Sequence, residues 1–157
     1  MSPVRLYMLA AILIVLALLA ACVWAETALP DAGDVYWHDT YWVTASPLAL
    51  LVACTAAAVV NVIIVFTRRI VTRSALSLSA AHLVAMLILA TLIVLAARTV
   101  HVQPSLHDIL SDPESFRSHR STVEVALKFL VTAPVLILVV QVLFGAVAAL
   151  AFRLRGR

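Results

Sequence analysis

Two histidine-aspartate pairs are the most chemically suggestive residues in this chain: His38-Asp39 and His107-Asp108, with His101 and His119 close to the second pair in sequence. An imidazole nitrogen beside a carboxylate oxygen provides two ligands of the kind a divalent metal takes, so two such pairs could make a four-ligand site. The same residues in polar segments also cap turns, bind water, or pair with Arg98, Arg117 or Arg120. A second group is set apart by its surroundings. Asn61, His82 and Gln141 are polar residues inside long apolar runs, where a side chain without a partner is costly. Counted along helices, Asn61 lies near the end of one run and His82 near the start of the next, which puts them at similar depth. Their expected role is an interhelical polar contact, with a proton relay or ligand site as the sharper alternative.

The elements that must carry these residues follow from composition. Of 157 residues, 64% are hydrophobic, and the mean hydropathy of +1.10 exceeds what a water-soluble domain can bury. Residues 6–25, 40–67, 74–97 and 129–152 contain no Asp, Glu, Lys or Arg. Each is long enough to cross a bilayer core of about 30 Å as a helix, which needs about 20 residues. The sequence therefore predicts an all-α fold, an integral membrane four-helix bundle with helices near 5–25, 44–67, 76–98 and 124–152. The whole of 1–157 forms a single transmembrane domain, with outer loops at 26–43 and 99–123.

Charge sets the expected orientation. Arg5, Arg68, Arg69, Arg73, Arg153, Arg155 and Arg157 flank one side of the spans without an acidic residue, whereas all eight acids fall on the other side. Basic residues stay on the cytoplasmic face, so the chain is expected N-in/C-in in a cell membrane, a bacterial inner membrane by preference. The net charge of +3 belongs to helix ends that meet anionic headgroups, and no nucleic-acid partner is expected. Trp24, Tyr36, Trp37, Tyr41 and Trp42 fall at the outer boundary, as an aromatic belt would.

Local signals refine this outline. Leu19-Ala20-Ala21-Cys22 also fits a bacterial lipoprotein signal, whose cleavage would remove residues 1–21, although a retained first helix is preferred. Cys22 and Cys54 are expected at depths roughly 10 Å apart, too far for a disulfide. Ser46-Pro47 suits a helix start, Asp112-Pro113-Glu114 a second one, and Ser121 with Glu124 has capping-box spacing before the fourth span. A short surface helix is expected over 104–110. Pro134 should free the carbonyl of Leu130 inside helix four.

His38-Asp39-Thr40-Tyr41-Trp42-Val43, running directly into the second span, resembles the segment before the tenth helix of heme-copper oxidase subunit I. In that family the segment also lies on the outer side and leads inward. The resemblance covers this segment and the following helix only. The family's two heme-ligand histidines correspond to Ser46 and Leu48, neither of which ligates iron as imidazole does, so no heme is expected from this chain alone. What the resemblance retains is an outer His-Asp pair that helps bind a nonredox divalent metal, placed here at His38 and Asp39. Asp39 could instead cap the second helix.

No placed nucleophile, intramembrane carboxylate or phosphate-binding glycine loop is present, which argues against an enzyme. The leading functional expectation is a noncatalytic accessory or structural component of a membrane complex, in an oxidase-like respiratory setting, with the lipid bilayer and other membrane subunits or further copies as partners. The alternatives are an outward-facing divalent-metal or small-ligand binding protein at His38, Asp39, His107 and Asp108, and a small transporter. Transport would call for broken helices or midplane carboxylates, and neither is evident.

Overall fold

In the computed structural model, residues 2–28, 34–37, 40–43, 46–67, 73–101 and 113–155 are described, those at 34–37, 40–43, 67, 73–74, 113–117 and 150–155 as backbone alone. The chain runs α1 (Pro3–Ala28), β1 (Asp34–Trp37), β2 (Thr40–Val43), α2 (Pro47–Thr67), α3 (Arg73–His101) and α4 (Pro113–Arg155). Each of the four helices is long and apolar enough to cross a membrane.

Three of the helices open on a proline, at Pro3, Pro47 and Pro113. That first helical position has no intrahelical bond for the ring to cost. Ser2 precedes Pro3 and takes the backbone N–H of Leu6 on its carbonyl at 3.1 Å, while its hydroxyl meets the N–H of Arg5 at 3.4 Å. Ser46 precedes Pro47 and takes the N–H of Leu50 at 3.0 Å, so α2 begins there and not at 44. Asp39 is thus too far before α2 to cap it.

The buried residues recur at alternating three- and four-residue steps. One such row in α3 is Ser79, Leu83, Met86, Ala90, Ile93, Ala97 and Val100, flanked by Leu76, His82, Leu89 and Ala96; in α2 it is Leu51, Cys54, Ala58, Asn61 and Val65, flanked by Leu50 and Thr55. This spacing makes a seam of the kind that interdigitates between nearly parallel or antiparallel helices. α3 is central and packs on the other three helices. α1 rests on α2 and α3, whereas α4 lies mainly along α3 and touches α2 only lightly. The outward faces are apolar, with Leu6, Leu13, Val125 and Leu138 each well exposed, as a bilayer-facing surface requires.

Several expectations are corrected at this level. α4 is one helix from Pro113 to Arg155, so Ser121 and Glu124 lie inside it and form no capping box. Ser121 donates to the carbonyl of Ser118 at 2.8 Å, and Glu124 pairs with Arg120 at 3.4 Å. Ala-, Leu- and Val-rich sequence carries the helix through Pro134 without a break. Within residues 26–43, read as an outer loop, the structure describes the last turn of α1 and an antiparallel hairpin. Its register sets Tyr36 opposite Tyr41 and Val35 opposite Trp42, consistent with the β preference of aromatic and β-branched residues.

Cys22 and Cys54 are not separated in depth as expected. Cys22 Sγ lies 3.5 Å from the hydroxyl of Thr55, the residue after Cys54. The longer α1 and the later start of α2 place both cysteines a similar distance inside their helices, and both are free thiols. The expected surface helix at 104–110 lies outside the described residues.

Candidate functional site

Near the end of the bundle where α2 finishes and α3 starts, side chains from all four helices meet in one hydrogen-bonded cluster. α1 contributes Tyr7, α2 Asn61, α3 both Ser79 and His82, and α4 Gln141. Tyr7, Asn61, Ser79 and His82 are buried, and Gln141 is half-buried. The three-four seams of α2 and α3 face each other, which brings Asn61 against the turn holding Ser79 and His82.

Proton counting fixes the direction of each bond. The Nδ2 of Asn61 lies 3.1 Å from the backbone carbonyl of Ser79. A carbonyl only accepts, so this atom is the amide nitrogen and its partner atom is the oxygen. The Ser79 hydroxyl donates to that Oδ1 at 3.0 Å. Its oxygen is then free to accept from the Tyr7 hydroxyl at 2.6 Å. The second hydrogen on Asn61 Nδ2 points to His82 Nδ1 at 3.1 Å, which makes Nδ1 the acceptor and leaves the ring's single proton on Nε2.

His82 Nε2 therefore donates to the Gln141 amide, 3.1 Å away. The Gln141 atom placed there is Nε2, also a donor, and two donors cannot bond; a half-turn of the amide puts Oε1 in its place without moving any other group. The opposite arrangement would leave both ring nitrogens accepting, which a neutral imidazole cannot do. The cluster is thus a neutral, directional chain in which Asn61 and His82 use every polar atom. Phe144, one turn after Gln141 on α4, covers the imidazole with ring centroids 4.4 Å apart.

Beside this cluster, α2 and α4 part to leave a groove of about 480 Å³. Asn61 and Gln141 stand on its floor, and Val60, Ile64, Phe144 and Gly145 form its apolar walls. With Oε1 turned toward His82, the Gln141 amide nitrogen takes the other side of the amide, where Gln141 lines this groove. A Cβ added at Gly145 would meet nothing within 4 Å, so the groove is open at that point.

Asn61, His82 and Gln141, singled out by their polarity within apolar runs, are brought together. Tyr7 and Ser79 had not been included. Their signal lies in the seam spacing, since Tyr7 is one helical turn before Ala11 and Ser79 one turn before Leu83, and both are seam positions.

His38, Asp39, His107 and Asp108 lie outside the residues whose side chains are described, so the proposed metal pairs have no geometry here. Among the described residues, no group of three or more His, Cys, Asp and Glu is close enough to hold a metal ion. His101 closes α3, and His119 in α4 has a buried Nε2 without a hydrogen-bond partner.

No protein-family model, curated protein or solved structure matches this chain.

Proposed function

We propose that this chain is a noncatalytic integral membrane protein that serves as an accessory or structural component of a membrane complex. The carrying observation is how its buried polar groups are used. Among the described residues the buried polar side chains are Thr55, Asn61, Ser79 and His82, and each is hydrogen-bonded within the bundle. Thr55 donates to the Leu51 carbonyl of its own helix at 2.8 Å, and its oxygen lies 3.5 Å from Cys22 Sγ on α1. The other three form the cluster that joins α1, α2, α3 and α4. A transporter or membrane enzyme keeps some buried polar groups available for cargo or a reacting group, while a scaffold spends them on cohesion.

In this reading the arginine-rich ends face the cytoplasm, giving an N-in/C-in protein of a bacterial inner membrane. The likeness of residues 38–43 to an oxidase segment makes a respiratory complex the first candidate assembly. Purification of the tagged chain in mild detergent, with an optical spectrum and identification of the copurifying subunits, is the test. A defined partner subunit retained in stoichiometric amount is expected. Repeated isolation of this chain alone, across several mild detergents, would remove the basis for an accessory role.

A further inference from the structure

We propose that the groove between α2 and α4 binds a neutral, membrane-dissolved lipid through a carbonyl head that accepts a hydrogen bond from the amide nitrogen of Gln141. This does not depend on the accessory role, because it concerns a site within the chain itself.

Hydrogen-bond accounting selects an accepting head. His82 Nε2 is used on Gln141 Oε1, and both amide hydrogens of Asn61 are used on the Ser79 carbonyl and His82 Nδ1. The donor left over in the cluster is the Gln141 NH2, and only an accepting atom can answer it. An ester or ketone oxygen accepts that bond, whereas a pure hydrocarbon leaves it unmade.

Charge selects a neutral head. The residues lining the groove are apolar, glycine, or uncharged amides. An ionised head would lie in hydrocarbon surroundings without a counter-charge, and that is expensive. Location selects a ligand from the bilayer. The groove is lined by exposed apolar residues such as Val60 and Ile64, on the surface that faces lipid tails. The volume of about 480 Å³ falls in the range of small-molecule sites, which typically combine apolar walls with a few placed polar groups.

Titration of tritiated methyl oleate against the full chain in mild detergent tests this. Saturable binding of one ester per chain is expected, displaced by unlabelled methyl oleate but not by octadecene, which lacks an acceptor, or by ionised oleate. Gln141→Leu should weaken binding about ten-fold, the worth of one such bond in an apolar setting. Gly145→Leu should abolish it by filling the groove, and Gly145→Ala should leave it unchanged, since a methyl group there meets open space.

If Gln141→Leu disturbs folding through its contact with His82, the two Gly145 variants still decide the matter, because that position lies outside the hydrogen-bonded chain. Equal displacement by octadecene would reduce the groove to an unselective apolar slot and overturn the proposal. Preference for ionised oleate, or full binding in Gly145→Leu, would overturn it as well. If methyl oleate fails to bind and Gly145→Leu instead releases a copurifying subunit or dissociates an oligomer, the occupant is a protein helix and not a lipid.

Discussion

The two halves of the bundle are held by different physics. In one half α1 to α4 meet through Tyr7, Ser79, Asn61, His82 and Gln141. In the other they meet through close-packed apolar side chains, among them Leu18, Leu51, Ile93, Val123 and Leu127, all at most 1% exposed. Lipid tails are as apolar as leucine, so water expulsion does little to bring these helices together, and cohesion in the apolar half comes from packing. Apolar seams also tolerate sliding by a repeat. A directional chain in which every donor faces one acceptor does not, and the polar half therefore fixes the register that the apolar half then fills.

This contrast makes ranked predictions. Leu127→Ala, in the apolar half, should cost most, about 3 kcal/mol, because the cavity is enclosed by helices that cannot collapse fully. Reversible unfolding by SDS titration in mixed micelles would measure it. A cost below that of Asn61→Ala would reverse the assignment of packing strength to this half. Asn61→Ala should follow at about 2 kcal/mol, since it strips partners from the Ser79 carbonyl, the Ser79 hydroxyl and His82 Nδ1 at once. It should also broaden α2–α3 distances between spin labels, which Leu127→Ala should not do. Equal distance distributions in the two variants would contradict a register-setting role.

Tyr7→Phe removes only the terminal donor of the chain and should cost about 1 kcal/mol in the same titration. Arg120→Ala, which breaks an exposed pair with Glu124, should change stability by less than about 0.5 kcal/mol. The last prediction concerns protons and not stability. Nitrogen NMR of selectively labelled protein should find His82 neutral, with the proton on Nε2; a proton on Nδ1 would break the directional assignment on which Gln141 depends.

The polar half was partly readable before any coordinates. Asn61, His82 and Gln141 are conspicuous because nothing else polar and large interrupts those apolar runs, and helical rise alone aligned the first two. Tyr7 escaped because an aromatic near a helix start reads equally well as a headgroup anchor, and Ser79 because serine is unremarkable in a membrane helix. Both become visible only once the three-four seam identifies the inward face.

The helices themselves were legible from hydropathy, their ends less so. Arg73 and His101 are charged or polar, yet they lie inside α3, because helical hydrogen bonding continues past the apolar stretch that a bilayer demands. The error in the cysteine depths has the same origin: a few residues of misplaced helix end move every depth counted from it. The hairpin carried its own signal, two aromatic and β-branched runs separated by His38 and Asp39. An expected helix beginning at 44 obscured it.

The central position of α3 has a consequence for how the protein is made. Tyr7 must wait 72 residues for Ser79, several seconds at roughly 5–20 residues added per second. Asn61, only 18 residues ahead of Ser79, waits much less. When α3 arrives, α1 and α2 can both be captured in one event, giving a three-helix body whose hydrogen bonds lack only the link to Gln141, another 59 residues on from His82. α4 is then the latecomer at the ribosome, docking onto a partner already assembled. The seam it leaves incomplete against α2 is where the groove lies, so the groove takes shape only when the last of these four helices docks.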